Sequence, residues 1–243
     1  MHFALLAIWS AAAVVNPASA ARTDRPDGPS SELARFIYPL AEARPAPAVV
    51  VDTTDAPDSE AWAASAKALV TAWFPEICRL LATDRFTPPR EIKLVFKKEL
   101  NVPAYSSGGV ITISAHWVRD HPEDLGLVVH ELTHTIQAYP RSRQTPGWLV
   151  EGIADFVRWW RYEPEAPRPR IDPAKASYRD SYRTTAAFLA WASHKFDERL
   201  VPRLDAALRE KRDPLPVFDE LAGKSIDDVW SDFVSTLPPR QSK

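Results

Sequence analysis

Two neighbouring stretches limit most strongly what this chain can fold into. Over residues 123–139 apolar side chains recur at helical spacing, and Pro140 ends the run. On a helical wheel with His130 at zero, Leu125, Val128, Val129, Leu132 and Ile136 fall between about 160° and 260°. His134 lies about 40° from His130, and Gln137 about 20° the other way, both opposite that stripe. Pro146 then opens a second helical pattern, reaching to about residue 162. Its Leu149, Val150, Ile153, Phe156, Val157 and Trp160 share one side, while Glu151 and Asp155, one turn apart, share the other. Two successive helices therefore bury apolar stripes and turn imidazoles and carboxylates away from them.

That arrangement has a chemistry. His130-Glu131-Leu132-Thr133-His134 is an H-E-x-x-H segment, whose two imidazoles project from one helix face and suit Zn²⁺, with Glu131 placed to act on a bound water. Catalytic zinc takes three protein ligands and leaves one position open. The next helix offers Glu151 or Asp155 as the third, and the carboxylate that is not a ligand can accept the second ring N–H of a histidine. A third histidine is missing from the longer version of the motif, because positions 137 and 140 are Gln and Pro. For a peptide carbonyl the developing oxyanion needs a donor besides the metal. Tyr182, opening a helix after a proline-rich loop, is the first candidate, with Tyr178, Arg183 and His194 as rivals. His116 and His121 precede the helix without ligand spacing and are expected in packing or surface roles.

The rest of the chain frames these helices. Residues 3–15 are apolar and are followed by Ala18-Ser19-Ala20, the pattern of a cleaved signal peptide over residues 1–20. Residues 21–47, rich in Pro, Ala and charge, are expected as an extended arm with a short helical turn near 31–38. Strands are expected at 48–51, 91–97 and 110–114, and a helix at 60–82 that Asp58 or Ser59 caps and Pro75 kinks or splits. Residues 163–177 are a loop, and helices follow at 178–195, 198–211 and 225–237, the last capped by Ser225. A small N-terminal β-sheet with helices, then an all-helical half, makes an α+β fold, with residues 48–243 one domain. The net charge of −2 offers no footprint for nucleic acid or an anionic membrane. The lone Cys78 excludes internal disulfides and sits in an apolar helical pattern, as a buried thiol does.

Four segments also carry a resemblance: VHELTHTIQ (129–137), GWLVEGIADFVR (147–158), YRTTAAFLAW (182–191) and GKSIDDVW (223–230). Together they resemble the plant basic secretory protein family and its bacterial relatives, over about residues 49–233. The resemblance implies a zincin-like metallopeptidase fold and a secreted protein; with its signal peptide removed, the chain is expected as a secreted or periplasmic monomer free of the membrane. The resemblance also implies peptide or protein substrates, with Zn²⁺ held by His130, His134 and Glu151 in the gluzincin order, Asp155 behind a histidine, and Glu131 as general base. In such folds the strand before the zinc helix pairs with an extended substrate, which points to residues 110–114, with the 163–177 loop lining the same cleft. This chain departs from the family in being slightly acidic, and in having Phe156 where relatives often have Tyr. The alternative function is a secreted zinc-binding protein that recognises peptides or glycoproteins with little turnover; the intact Glu131 favours the enzyme.

Overall fold

The computed structural model describes residues 45–81, 86–140, 142–143 and 145–238. The expected signal peptide, the arm up to residue 44 and the helical turn near 31–38 lie outside these residues. The N-terminal half holds β1 (Ala48–Asp52), α1 (Glu60–Leu81), β2 (Glu91–Lys97), β3 (Ala104–Ser107), β4 (Val110–Ser114) and the short α2 (Ala115–Asp120). The remainder is helical: α3 (Gly126–Gln137), α4 (Gly147–Val157), a π-helical turn (Arg158–Tyr162), α5 (Tyr182–Lys195), α6 (Leu200–Arg209), α7 (Pro216–Ala222) and α8 (Ile226–Ser235). The α+β expectation therefore holds. Among the described residues no helix is long and apolar enough to cross a membrane.

The sheet order is β1-β2-β4-β3, with β1, β2 and β4 parallel and β3 antiparallel to β4. β2 alternates outward Lys and Glu with Ile92, Leu94 and Phe96, all fully buried. β4 pairs on both sides and does not border the cleft; of the two edge strands, β1 and β3, β3 is the one that lines it. The sequence pattern overlooks β3, because Ala104-Tyr105-Ser106-Ser107 has little apolar alternation. The signal that marks it is Gly108-Gly109, whose φ angles of 58° and 83° form the tight turn of a two-residue hairpin.

Pro75 does not split α1. The carbonyl that loses its helical partner there belongs to Thr71, which is exposed to water, and Phe74, Ile77 and Leu81 are fully buried around the break. Instead of a simple cap, a 3₁₀ turn at Pro57–Ser59 leads into the helix. α1 packs on β1 and on α3, and α3 packs in turn on β3 and β4. Val128, Val129, Leu132 and Ile136 of α3 are at most 1% exposed, each contributing about 1.5–3 kcal/mol by burial. α3 starts three residues later than expected, and the short α2 before it was not foreseen; it is capped by Ser114 Oγ, which accepts from the Trp117 amide. α5 starts at Tyr182 rather than at 178, while α7 was not foreseen. Ser225 caps α8 as its sequence indicated, accepting from the Asp228 amide. Cys78 is buried, as expected.

Candidate metal centre

α3 and α4 bring the imidazoles and carboxylates together. His130 Nε2 and His134 Nε2 lie 3.1 Å apart, and each is 3.3 Å from Glu151 Oε2. These three residues form a group that could hold a metal ion. The wheel put both histidines off the apolar stripe, and so they are; yet His130 and Glu131 are buried, because α4 covers that face.

The outer nitrogens settle the roles of the inner ones. His130 Nδ1 is 2.7 Å from Asp155 Oδ1, and His134 Nδ1 is 2.7 Å from Gln137 Oε1. Both partners are acceptors there, so each Nδ1 carries a hydrogen, and in the neutral imidazoles that a metal requires each Nε2 turns a lone pair inward. The Gln137 amide cannot be reversed without loss, since its Nε2 donates to the Val150 carbonyl at 3.0 Å. In that form two lone pairs and a carboxylate oxygen converge on one point, a set that a proton or a metal cation satisfies. Zinc held tetrahedrally at about 2.0–2.1 Å from nitrogen separates its ligand atoms by about 3.3–3.4 Å, so the donor set fits the ion. The distances also separate the two carboxylates that the sequence left open: Glu151 faces both inner nitrogens, and Asp155 is engaged behind His130.

The electrostatics express the same demand for positive charge. Burial drives the His130 imidazole toward its neutral form, but hydrogen bonds to Asp155 and Glu151 and the charges of Asp155 and Glu131 outweigh this and push its pKa up to about 9. Glu151 is raised by burial but lowered further by hydrogen bonds to both histidines, to about 2. Glu131 goes the other way: burial holds its carboxyl above the usual range despite the neighbouring imidazoles. A carboxylate raised in this way suits proton transfer.

A cleft of about 860 Å³ opens over these groups. One wall is β3 and the segment before it; Ser106 Oγ is 2.8 Å from Thr135 Oγ1, which ties that edge strand to α3. Another wall carries Tyr182, Arg183, Arg158 and Trp159. Tyr182 is 55% exposed, its ring stacks at 6.3 Å on His130, and the charge of Glu151 raises its pKa. Ser181 and Tyr182 have φ of 65° and 47°, so the chain enters α5 through the left-handed region directly beside the site. Of the rivals to Tyr182, only Arg183 lines the cleft. Tyr178 is buried and donates to Asp227, and the exposed His194 lies at the far end of α5. His116 contacts Arg119 and His121 stacks on Trp117 at 3.9 Å, both away from the cleft, as expected. The 163–177 loop supplies none of the lining; its Pro167 carbonyl instead accepts from Arg183 behind the wall.

Gln137 was overlooked as part of the site, although its place on the histidine face was visible on the wheel. A second overlooked layer is entirely long-range. Arg209 of α6 donates to the Ile136 and Gln137 carbonyls at 2.8 and 2.9 Å, capping α3, and pairs with buried Asp205 at 2.9 Å. Tyr139 donates to the same Asp205 at 2.8 Å.

Neither a curated protein nor a solved structure matches the chain significantly. The profile of the BSP family, described as peptidase of plants and bacteria, matches residues 50–233. That span contains both helices of the metal centre, the edge strand and α5, and on this match the chain belongs to the BSP peptidase family.

Proposed function

We propose that this protein is an exported zinc-dependent peptidase with a zincin-like fold. The observation that carries the reading is the convergence of His130 Nε2, His134 Nε2 and Glu151 Oε2 beside the buried Glu131, in a cleft bordered by a free strand edge. Export rests on the sequence of residues 1–20, and the fold assignment on the paired metal helices and the antiparallel edge strand.

When bound, zinc would acidify a water and polarise the scissile carbonyl. His130 and His134 hold their Nε2 atoms inward because Asp155 and Gln137 fix the opposite ring nitrogens. Glu131 takes a proton from the attacking water and returns it to the leaving amine, a task suited to its raised pKa. Tyr182, on the rim next to His130, donates to the developing oxyanion. β3 offers unpaired backbone groups to an extended peptide, which gives affinity with little dependence on side chains.

Metal analysis and a Glu131→Gln variant test this together. Zinc is expected at one per chain in both proteins, with cleavage of a diverse peptide mixture lost only in the variant. Absence of zinc under saturating conditions would remove the metal reading. Equal inactivity of both proteins with zinc bound would favour a recognition protein.

A further inference from the structure

Arg183 is a cation with no carboxylate in direct contact; the carboxylate its charge acts on is Glu163, which already pairs with Arg158. It makes no ion pair among the described residues, and its Nε is buried with no hydrogen-bond partner. Its guanidinium stacks over the Trp159 indole, 4.1 Å from the ring centroid, and one terminal nitrogen donates to the Pro167 carbonyl. Arg158 lies at the same distance from the same indole, but Asp124 and Glu163 neutralise it. Arg168, stacked on Trp160, spends its terminal nitrogens on the carbonyls of Trp159 and Pro164. Burial and the charge of Arg183 both push the Arg168 pKa down, and Glu165 acts on it only at a distance. Of the guanidinium groups that line the cleft, Arg158 is ion-paired, while Arg183 has only a backbone carbonyl as hydrogen-bond partner and a second cation, Arg168, nearby, so an added anion would be favoured there. The wall formed by β3 and its approach carries no charge: it presents Val102, Pro103, Ala104, Tyr105 and Ser106.

We propose that Arg183, held planar on Trp159 in the wall of the cleft, is a subsite for a substrate carboxylate, either an acidic side chain or the C-terminal carboxylate of the peptide. Arg183 lines the cleft with only one of its nitrogens engaged, and a guanidinium pairs with a carboxylate through charge-assisted hydrogen bonds. Asp and Glu side chains and a free C-terminus share that chemistry. The subsite deepens the peptidase reading and rests on it, because it gives an otherwise backbone-reading cleft its side-chain preference.

The experiment uses the full chain and a set of peptides in which Glu or Gln is placed at each position in turn, every peptide made as the C-terminal acid and as the amide. Cleavage is measured as kcat/KM with zinc-loaded protein, and binding of the same peptides is measured by calorimetry on Glu131→Gln. At one position Glu is expected over Gln, or acid over amide, by about ten-fold or more, the size of a charge-assisted hydrogen-bond pair. Which comparison responds identifies the source of the carboxylate. In Arg183→Gln that ratio falls to about two-fold or less, and in Arg183→Lys, which keeps the charge but not the fork, it lies between the two. If Arg183→Gln fails to fold, the wild-type ratios and Arg183→Lys carry the test. No preference at any position, or a preference that both variants retain, overturns the proposal. A chain that cleaves nothing yet binds the acidic peptide through Arg183 overturns the peptidase reading and keeps the subsite. A chain that cleaves without acidic preference does the reverse.

Discussion

Gly152 sets up a contest between two local rules, and the structure decides its sign. Gly152 lies inside α4, between Glu151 and Asp155. Helix propensity alone predicts that Gly152→Ala stabilises, by about 1 kcal/mol. A Cβ built there would lie 2.2 Å from Thr185 Cγ2 and 2.7 Å from Thr185 Cβ, on α5. Ordinary contact begins about 1 Å further out, and Thr185 cannot turn aside: it is fully buried and its Oγ1 donates to the Tyr178 carbonyl at 2.6 Å. The two helices must separate, at a cost near the upper end of the overpacking range of about 1–3 kcal/mol, leaving a net loss of about 2 kcal/mol. For a domain of this size that lowers the melting temperature by about 4–8 °C. Urea denaturation and thermal melting of the metal-free protein measure it. Thr185→Ser removes Cγ2 and keeps the hydroxyl, so the cost of Gly152→Ala should be smaller in that background, and the double-mutant cycle reads the contact itself. Because Glu151 and Asp155 ride on the displaced helix, zinc affinity should fall as well. A Gly152→Ala protein as stable as wild type, or more stable, would refute the close packing of α4 on α5.

Two other perturbations report on the support behind α3. Gln137→Leu removes the acceptor for His134 Nδ1–H and should weaken zinc about 10–100-fold in a chelator competition titration, whereas a change under about two-fold would deny Gln137 its orienting role. Asp205 is fully buried; burial raises its carboxyl while Arg209 and Tyr139 lower it, and the outcome is a pKa of about 6 against an ordinary 3.8. The folded chain then holds that proton more tightly than the unfolded one, so this group's contribution to stability is full below the ordinary value and lost as pH rises through about 6. Asp205→Asn, neutral throughout, should gain on wild type between about pH 4 and pH 6.5 in denaturant titrations, and the opposite slope would show that the ion pair with Arg209 outweighs burial.

What could be read from the sequence, and what could not, divides along a physical line. His130, Glu131, His134, Glu151 and Asp155 were legible because each lies within one turn of another, so helical periodicity alone places them on common faces. Periodicity cannot say which of two carboxylates a turn apart approaches a neighbouring helix more closely. The distinction between Glu151 and Asp155 appeared only once α3 and α4 were docked. β3 escaped because its pairing is made by backbone groups, which Ala, Tyr and Ser do not advertise. The start of α5 shifted because residue 178 is held elsewhere: Tyr178 reaches to Asp227, and its carbonyl takes the Thr185 hydroxyl, so the chain turns through positive φ before the helix begins. Arg209 holds the end of α3 from 72 residues further along the chain. The residues that face the metal position are thus encoded locally, while those that fix their orientation and place the cleft walls come from remote segments. A variant that preserves the H-E-x-x-H helix can therefore still lose the convergence of His130, His134 and Glu151, through α4 packing or the Arg209 cap, with all three residues unchanged.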